Sequence, residues 1–266
     1  MKILTGPCVI ESRDNVMKIA EQLYFLQDDK NIEFYFKASF DKANRTSLDS
    51  FRGPGLDEGL KILEEVKKQF GYKLVTDVHE TYQVAPTAEV TDIVQIPAFL
   101  CRQTDLLVAA GKSNAIVNIK KGQFLASESM KHPVAKVLAM RDCQEVNYEN
   151  SSKNNVWLCE RGNVFGYGSL IVDMKNLISM REFAPVIFDA THSAQVPSTG
   201  STTGGNSAIV PSLAKAAAAV GVDGFFFETH FDPSVALSDG PNMLTIDELK
   251  TTIKDIVSIQ EVLGYN

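Results

Sequence analysis

Eight short apolar runs in this chain end in groups that can do chemistry. In order these are Cys8, Lys37, Asp77 with His79, Gln95, Lys120 with Lys121, Glu160 with Arg161, Asp189 with His192, and Glu228 with His230. One such residue is an ordinary turn or cap. Eight at the ends of apolar segments ask for another reason, because gathering charge is costly unless function uses it. The groups divide into two sets. Lys37, Lys42, Arg45, Lys120 and Arg161 are cationic, and such clusters suit phosphate and carboxylate, with Arg able to bind bidentately. Small, multiply anionic substrates are expected. Cys8, His192, Glu228 and Asp239 form the second set. Thiolate, imidazole and carboxylate are the ligand types of a borderline divalent metal such as zinc or iron. His79, His132 and His230 compete as ligands, and His132 lies in a helical stretch that reads as surface.

The elements that must position these groups can be read from periodicity. The β-rich runs lie at 2–5, 34–38, 73–77, 93–96, 116–120, 156–160, 185–189 and 224–228. They recur roughly every 30 residues, the size of one βα unit. Most are continuously apolar, as parallel strands covered on both faces must be. Helical patterns lie between them. Val16, Ile19, Ala20, Leu23 and Leu26 recur at helical spacing behind Ser12 as N-cap; Leu56, Leu60, Leu63, Val66 and Phe70 precede Gly71 as C-cap. Thr245 and Glu248 have capping-box spacing before the last helix. Eight strands alternating with helices over 266 residues predict an α/β fold, a single-domain (β/α)8 TIM barrel spanning 1–266. A doubly wound sheet is the competitor, lowered by the lack of a GxGxxG or Walker A motif. In a barrel the carboxyl ends of the strands meet in one mouth, and strand eight closes onto strand one. The loops carrying Cys8, His192, Glu228 and Asp239 then adjoin despite their separation in sequence. The run STGSTTGGNS (198–207) follows the seventh strand, where a mobile active-site loop at 196–207 is expected.

Composition narrows the function further. With 26 Lys and Arg against 33 Asp and Glu the formal charge is −7, and 44% of residues are apolar. The acidic balance argues against nucleic acid or an anionic membrane as partner, yet leaves room for a local cationic pocket. No apolar run approaches a membrane span, and the start MKILTGP has no stretch suited to a secretory signal. A cytoplasmic protein with its four cysteines reduced is expected.

Longer motifs carry a resemblance. GPCVIES (6–12), FKASFDKANRTS (36–47), FRGPG (51–55), TDVHE (76–80), IPAFLCRQTDLL (96–107), NIKKGQF (118–124), ERG (160–162), DATHS (189–193) and ETH (228–230) closely resemble the 3-deoxy-D-manno-octulosonate 8-phosphate synthase family, in the family's order and over essentially the whole chain. The resemblance implies a (β/α)8 barrel, a homotetramer, and condensation of phosphoenolpyruvate with D-arabinose 5-phosphate and water, in lipopolysaccharide precursor synthesis. It implies that Lys37, Lys42, Lys120 and Arg161, with Gln95 and Ala98 close by, cradle phosphoenolpyruvate. Asn44, Arg45 and Thr46 match the arabinose-phosphate site, and Arg102 reaches a neighbouring subunit's sugar phosphate. Cys8, His192, Glu228 and Asp239 match the ligands of the metal-dependent branch, holding zinc, iron or manganese. The other branch has Asn where this chain has Cys8, while Ser238-Asp239-Gly240-Pro241 looks closer to that other branch. Asp77, His79 and His192 are candidates for proton handling. The rival readings are a 3-deoxy-D-arabino-heptulosonate 7-phosphate synthase using erythrose 4-phosphate, which has KPRT where this chain has KANR, a Schiff-base aldolase with Lys120 as nucleophile, and a sugar-phosphate sensor.

Overall fold

Strands apolar on both sides are stable only in a sheet covered on both faces, and a closed barrel ringed by helices provides that. The computed structural model describes residues 1–165, 168–196 and 204–265. Its parallel strands β1 (Lys2–Gly6), β2 (Glu33–Lys37), β3 (Lys73–Asp77), β4 (Ile93–Ile96), β5 (Ile116–Lys120), β6 (Val156–Glu160), β7 (Val186–Asp189) and β10 (Gly224–Glu228) close into one barrel. Between β7 and β10 lies an antiparallel ribbon of β8 (Gln195–Val196) and β9 (Gly204–Gly205). Closure joins β10 to β1, with Leu4 opposite Phe226 and Gly6 opposite Glu228. The predicted single-domain (β/α)8 TIM barrel is therefore observed, with strand boundaries within a residue of those read from sequence. Pro185 stays outside β7 because it has no N–H to give to the ladder; its carbonyl still accepts from Leu158 N.

The surrounding helices are α1 (Arg13–Gln22), α2 (Leu56–Phe70), α3 (Thr81–Val90), α4 (Thr104–Lys112), α5 (Lys131–Ala139), α6 (Tyr148–Lys153), α7 (Lys175–Arg181), α8 (Val210–Val220) and α9 (Ile246–Leu263). Ser12 caps α1 by accepting from Asn15 N. The periodic pattern running to Leu26 divides into α1 and a 3-10 turn at Tyr24–Leu26, yet Leu23 and Leu26 are still fully buried. Gly71 ends α2 in the left-handed conformation, φ 72°, which costs glycine little. The Thr245/Glu248 capping box forms as read. His132 is exposed on α5. Of the loop expected to be mobile at 196–207, residues 197–203 lie outside the described residues; its flanks Val196 and Gly204 are paired in the ribbon.

The main apolar core lies between strands and helices, with Phe34, Phe36, Ile119, Phe188, Phe225 and Phe227 on the outer strand faces. Each such side chain contributes about 1.5–3 kcal/mol when buried. Strands β1 and β2 approach each other closely at Gly6. A Cβ on Gly6 would sit 2.1 Å from the Lys37 carbonyl oxygen, so the strands would have to part just below Cys8. Gly6→Ala is expected to lower stability by about 1–3 kcal/mol, read as a fall in the urea midpoint; an unchanged midpoint would mean that the strands separate there freely.

Candidate active site at the barrel mouth

Inside the barrel, Leu4, Tyr35, Val75, Ile93, Trp157, Cys159, Ile187 and Phe226 pack into an apolar plug. Strand side chains alternate faces, so the residue two positions further on points towards the mouth. Tyr35 is followed in this way by Lys37, Val75 by Asp77, Ile93 by Gln95, Cys159 by Arg161, Ile187 by Asp189 and Phe226 by Glu228; Ile116 leads through Asn118 to Lys120. Apolar strands thus end in a polar ring without losing their covered faces.

The same parity removes two residues that were expected in the mouth. Lys121 and Glu160 sit on the opposite phase and pair with each other outside the cavity, Nζ to Oε1 at 3.5 Å. Lys121 Nζ also donates to Asn163 Oδ1 at 2.9 Å and reaches the carbonyls of Gly122, Leu125 and Gly162 at 3.4–3.5 Å. This pair ties the loops after β5 and β6 together. His230 is a second correction. It is buried away from the cavity, with Nδ1 accepting from Asp232 N at 3.0 Å and Nε2 lying 3.8 Å from Glu11 Oε2.

The residues read as metal ligands converge. Suitable atoms of Cys8, Glu228 and Asp239 lie within 4.8 Å of one another. His192 Nε2 joins them, 3.7 Å from Glu228 Oε1 and 3.6 Å from Asp239 Oδ2. Cys8 Sγ lies 3.6 Å from Asp239 Oδ2 and 3.1 Å from Ser238 Oγ. One sulfur, one nitrogen and two carboxylates are a donor set for a borderline divalent ion. Glu228 Oε2 is buried with no hydrogen-bond partner among the described residues, which fits a ligand held for a cation. His192 is oriented as a ligand requires: Asp189 Oδ2 lies 2.8 Å from its Nδ1, and Asp189 Oδ1 accepts from its backbone N at 2.9 Å. Burial first, then the Glu228 carboxylate, pushes the Cys8 thiol up to about 12. Glu228 behaves oppositely: burial alone would raise it, but Lys37, His192 and Lys42 outweigh burial and hold it at about 2.

The cationic set lies on the same rim. Lys37 Nζ is buried at 2.9 Å from Glu228 Oε1 and donates to the Cys8 carbonyl at 2.8 Å. Lys42 Nζ lies 3.9 Å from both Asp77 and Glu228. Lys120 Nζ lies 2.7 Å from Asp189 Oδ2. Beneath them, Asp77 accepts from Ser39 Oγ at 2.6 Å and from Gln95 Nε2, while Asn118 donates to Gln95 at 2.9 Å. Burial opposes the charge of Asp77, yet Lys37, Lys42 and Lys120 hold its carboxyl far below the usual range. Above this floor opens a cavity of about 400 Å³ lined by Lys42, Asn44, Arg45, Thr46, Asp77, His79, Ala98, Lys120, Arg161, His192 and Asp239, among others. Cys8, Lys37, Gln95 and Glu228 sit at its base rather than in its wall. Arg102 is exposed and apart from the cavity lining.

Two residues of the site were not singled out from sequence. Gln195 lies between Arg161 and Asp239. Ser238, noted only as part of a motif, accepts from Arg45 Nη1 at 2.8 Å and contacts Cys8. The spacing His192-x-x-Gln195 could have indicated the first, because a 3-10 turn spans His192–Ala194 and residues three apart in such a turn eclipse one another.

Fold and site together define a barrel enzyme built for small anions. The chain belongs to the DAHP synthetase I family, whose model matches residues 1–263. It is 59% identical to the 2-dehydro-3-deoxyphosphooctonate aldolase of Campylobacter jejuni strain 81-176, over all of this chain and 98% of the relative. It is 57% identical to the protein of that name from Wolinella succinogenes, over 98% of this chain and all of the relative. For the Helicobacter hepaticus protein of the same name, identity is 56% over all of this chain and 98% of the relative.

Proposed function

We propose that this chain condenses phosphoenolpyruvate with D-arabinose 5-phosphate and water, giving 3-deoxy-D-manno-octulosonate 8-phosphate and inorganic phosphate for lipopolysaccharide precursor synthesis in the cytoplasm. The observation that carries the reading is the cationic cavity directly above a Cys8/Glu228/Asp239 cluster with His192 Nε2 beside its two carboxylates, in a chain nearly 60% identical to 2-dehydro-3-deoxyphosphooctonate aldolases. No helix among the described residues is long and apolar enough to cross a membrane.

The two substrates carry about five negative charges between them, counting ~−2 per phosphate and one carboxylate. Lys42, Lys120 and Arg161, with Lys37 below them, cradle phosphoenolpyruvate beside Gln95 and Ala98. Asn44, Arg45 and Thr46 receive the sugar phosphate. Holding the enol carbon against the aldehyde contributes several kcal/mol by proximity alone. The enol π electrons form the new carbon–carbon bond while the aldehyde oxygen takes up a proton. Water adds to the carbon bearing phosphate and loses a proton, and the resulting hemiketal phosphate breaks its C–O bond to release phosphate. Asp77, fixed as a carboxylate, orients cations. His79 is better suited to carry a proton: burial holds its ring neutral, and its buried Nδ1 has no partner among the described residues. Cys8, His192, Glu228 and Asp239 would hold a divalent ion, Zn²⁺, Fe²⁺ or Mn²⁺, which supplies alignment and polarisation of an oxygen when bound. The assembly is read as a homotetramer in which exposed Arg102 serves a neighbouring subunit's sugar phosphate.

The Schiff-base alternative is disfavoured by Lys120. Burial works against its charge, but Asp189 in contact outweighs burial and raises its pKa, and a charged amine is a poor nucleophile. Phosphate is expected to appear only with both substrates present, to stop on treatment with a strong chelator and to return with added divalent ion. Erythrose 4-phosphate is expected to be about 10-fold or more slower. Full turnover by metal-free protein would reject the metal-dependent branch. A preference for the four-carbon sugar would return the heptulosonate reading.

A further inference from the structure

Arg161 and Asp239 belong to the two halves of the site, and one uncharged side chain spans them. Arg161 Nη2 donates to Gln195 Oε1 at 2.6 Å, and Gln195 Nε2 donates to Asp239 Oδ1 at 3.1 Å. An amide is the group for this position, because it presents an acceptor to a guanidinium at one end and a donor to a carboxylate at the other. It also divides the atoms of both partners. Arg161 Nη1 is left buried, without a hydrogen-bond partner among the described residues, in a side chain that lines the cavity. Asp239 Oδ2 is left facing Cys8 Sγ and His192 Nε2, each at 3.6 Å. One arm of the arginine is therefore kept for an anion, and one oxygen of the aspartate for a cation. Gln195 is held for this task at both ends of its backbone. It closes the 3-10 turn that begins at His192 and pairs with Gly205 in the ribbon.

We propose that Gln195 is a positioning residue that couples anion binding at Arg161 to cation binding at Asp239. The inference rests on the function proposed above. An anion on Nη1 fixes the guanidinium plane, which fixes the amide and turns Asp239 Oδ2 towards the cation cluster. By linkage the effect is reciprocal, so a bound cation strengthens anion binding by the same factor. A purely structural role, anchoring the ribbon, predicts no such reciprocity.

The test uses Co²⁺ as the probe cation, for its absorption with a thiolate, and phosphoenolpyruvate as the probe anion. Phosphoenolpyruvate affinity is measured by calorimetry with and without Co²⁺. In the unaltered protein Co²⁺ is expected to tighten phosphoenolpyruvate at least about fivefold, and phosphoenolpyruvate to shift the cobalt–thiolate band. In Gln195→Met, close in volume but unable to bridge, both ligands are expected to bind with a coupling factor within about twofold of unity and no shift of the band. Gln195→Glu keeps an acceptor for Arg161 and offers Asp239 no donor, so the same loss is expected there, which guards against poor folding of the first variant. Thermal melting of both variants is read alongside. Coupling retained in either folded variant overturns the proposal, as does its absence from the unaltered protein when both ligands bind. Failure of the unaltered protein to bind either probe would overturn the proposed function as well.

Discussion

Cys8→Ala is expected to leave a folded barrel that no longer retains a divalent ion. The thiol is fully buried between Asp239 and Ser238, so its loss removes the cluster's one sulfur donor and leaves only the weaker hydroxyl of Ser238 beside the gap. Structural zinc sites bind with about 10–16 kcal/mol over four ligands, so one ligand accounts for about 2.5–4 kcal/mol, or a roughly 100- to 1,000-fold loss of affinity. The fold loses much less. Removing one buried sulfur costs about 1 kcal/mol in packing, and melting of the metal-free protein should fall only about 2–4 °C. Metal content after dialysis, measured beside thermal melting of metal-free samples, separates the two effects. Unchanged metal content in the variant would take Cys8 out of the site. The surroundings make the expectation sharp: at neutral pH, burial and Glu228 keep the free thiol protonated, so a thiolate here depends on a cation to displace the proton.

Lys120→Met is expected to damage catalysis and stability together. The ammonium lies 2.7 Å from Asp189 and 4.3 Å from the centre of the Phe226 ring, at the top of the apolar plug where a bound anion is poorly screened by water. Loss of one such charge from an anion clamp lowers kcat/KM by about 10²–10³-fold. The variant also leaves Asp189 with His192 as its remaining close hydrogen-bonding side chain. Breaking a buried pair costs about 3–5 kcal/mol, and the surviving His192 contact places this case at the lower end. Steady-state kinetics with phosphoenolpyruvate as varied substrate, paired with a denaturant titration, tests both parts. A kcat/KM within about threefold of the unaltered enzyme would remove Lys120 from the cradle. Arginine is a poor control here, because a planar fork does not fill the place of a compact ammonium.

Much of the site was legible because strand alternation is a local rule. Once Tyr35, Val75, Ile93 and Phe226 are inward, Lys37, Asp77, Gln95 and Glu228 must crown the same interior. The rule also explains the misreading of Lys121 and Glu160. Both lie at strand ends, but one residue of phase sends them to the opposite face, where they meet each other rather than the cavity. His230 misled for a related reason: two residues past Glu228 the chain has left the strand, and parity no longer governs it.

The chain's own residue order dictated the strands, the helices with their caps, the closed barrel they imply and the chemical types gathered at its mouth, since these follow from spacings of two, three and four residues. Which of those groups touch was decided by tertiary structure alone. Gln195 bridges Arg161 and Asp239 across gaps of 34 and 44 residues, and Ser238 meets Cys8 across 230. Contacts of that range depend on where loops arrive after the strands have closed, a geometry that no local periodicity encodes.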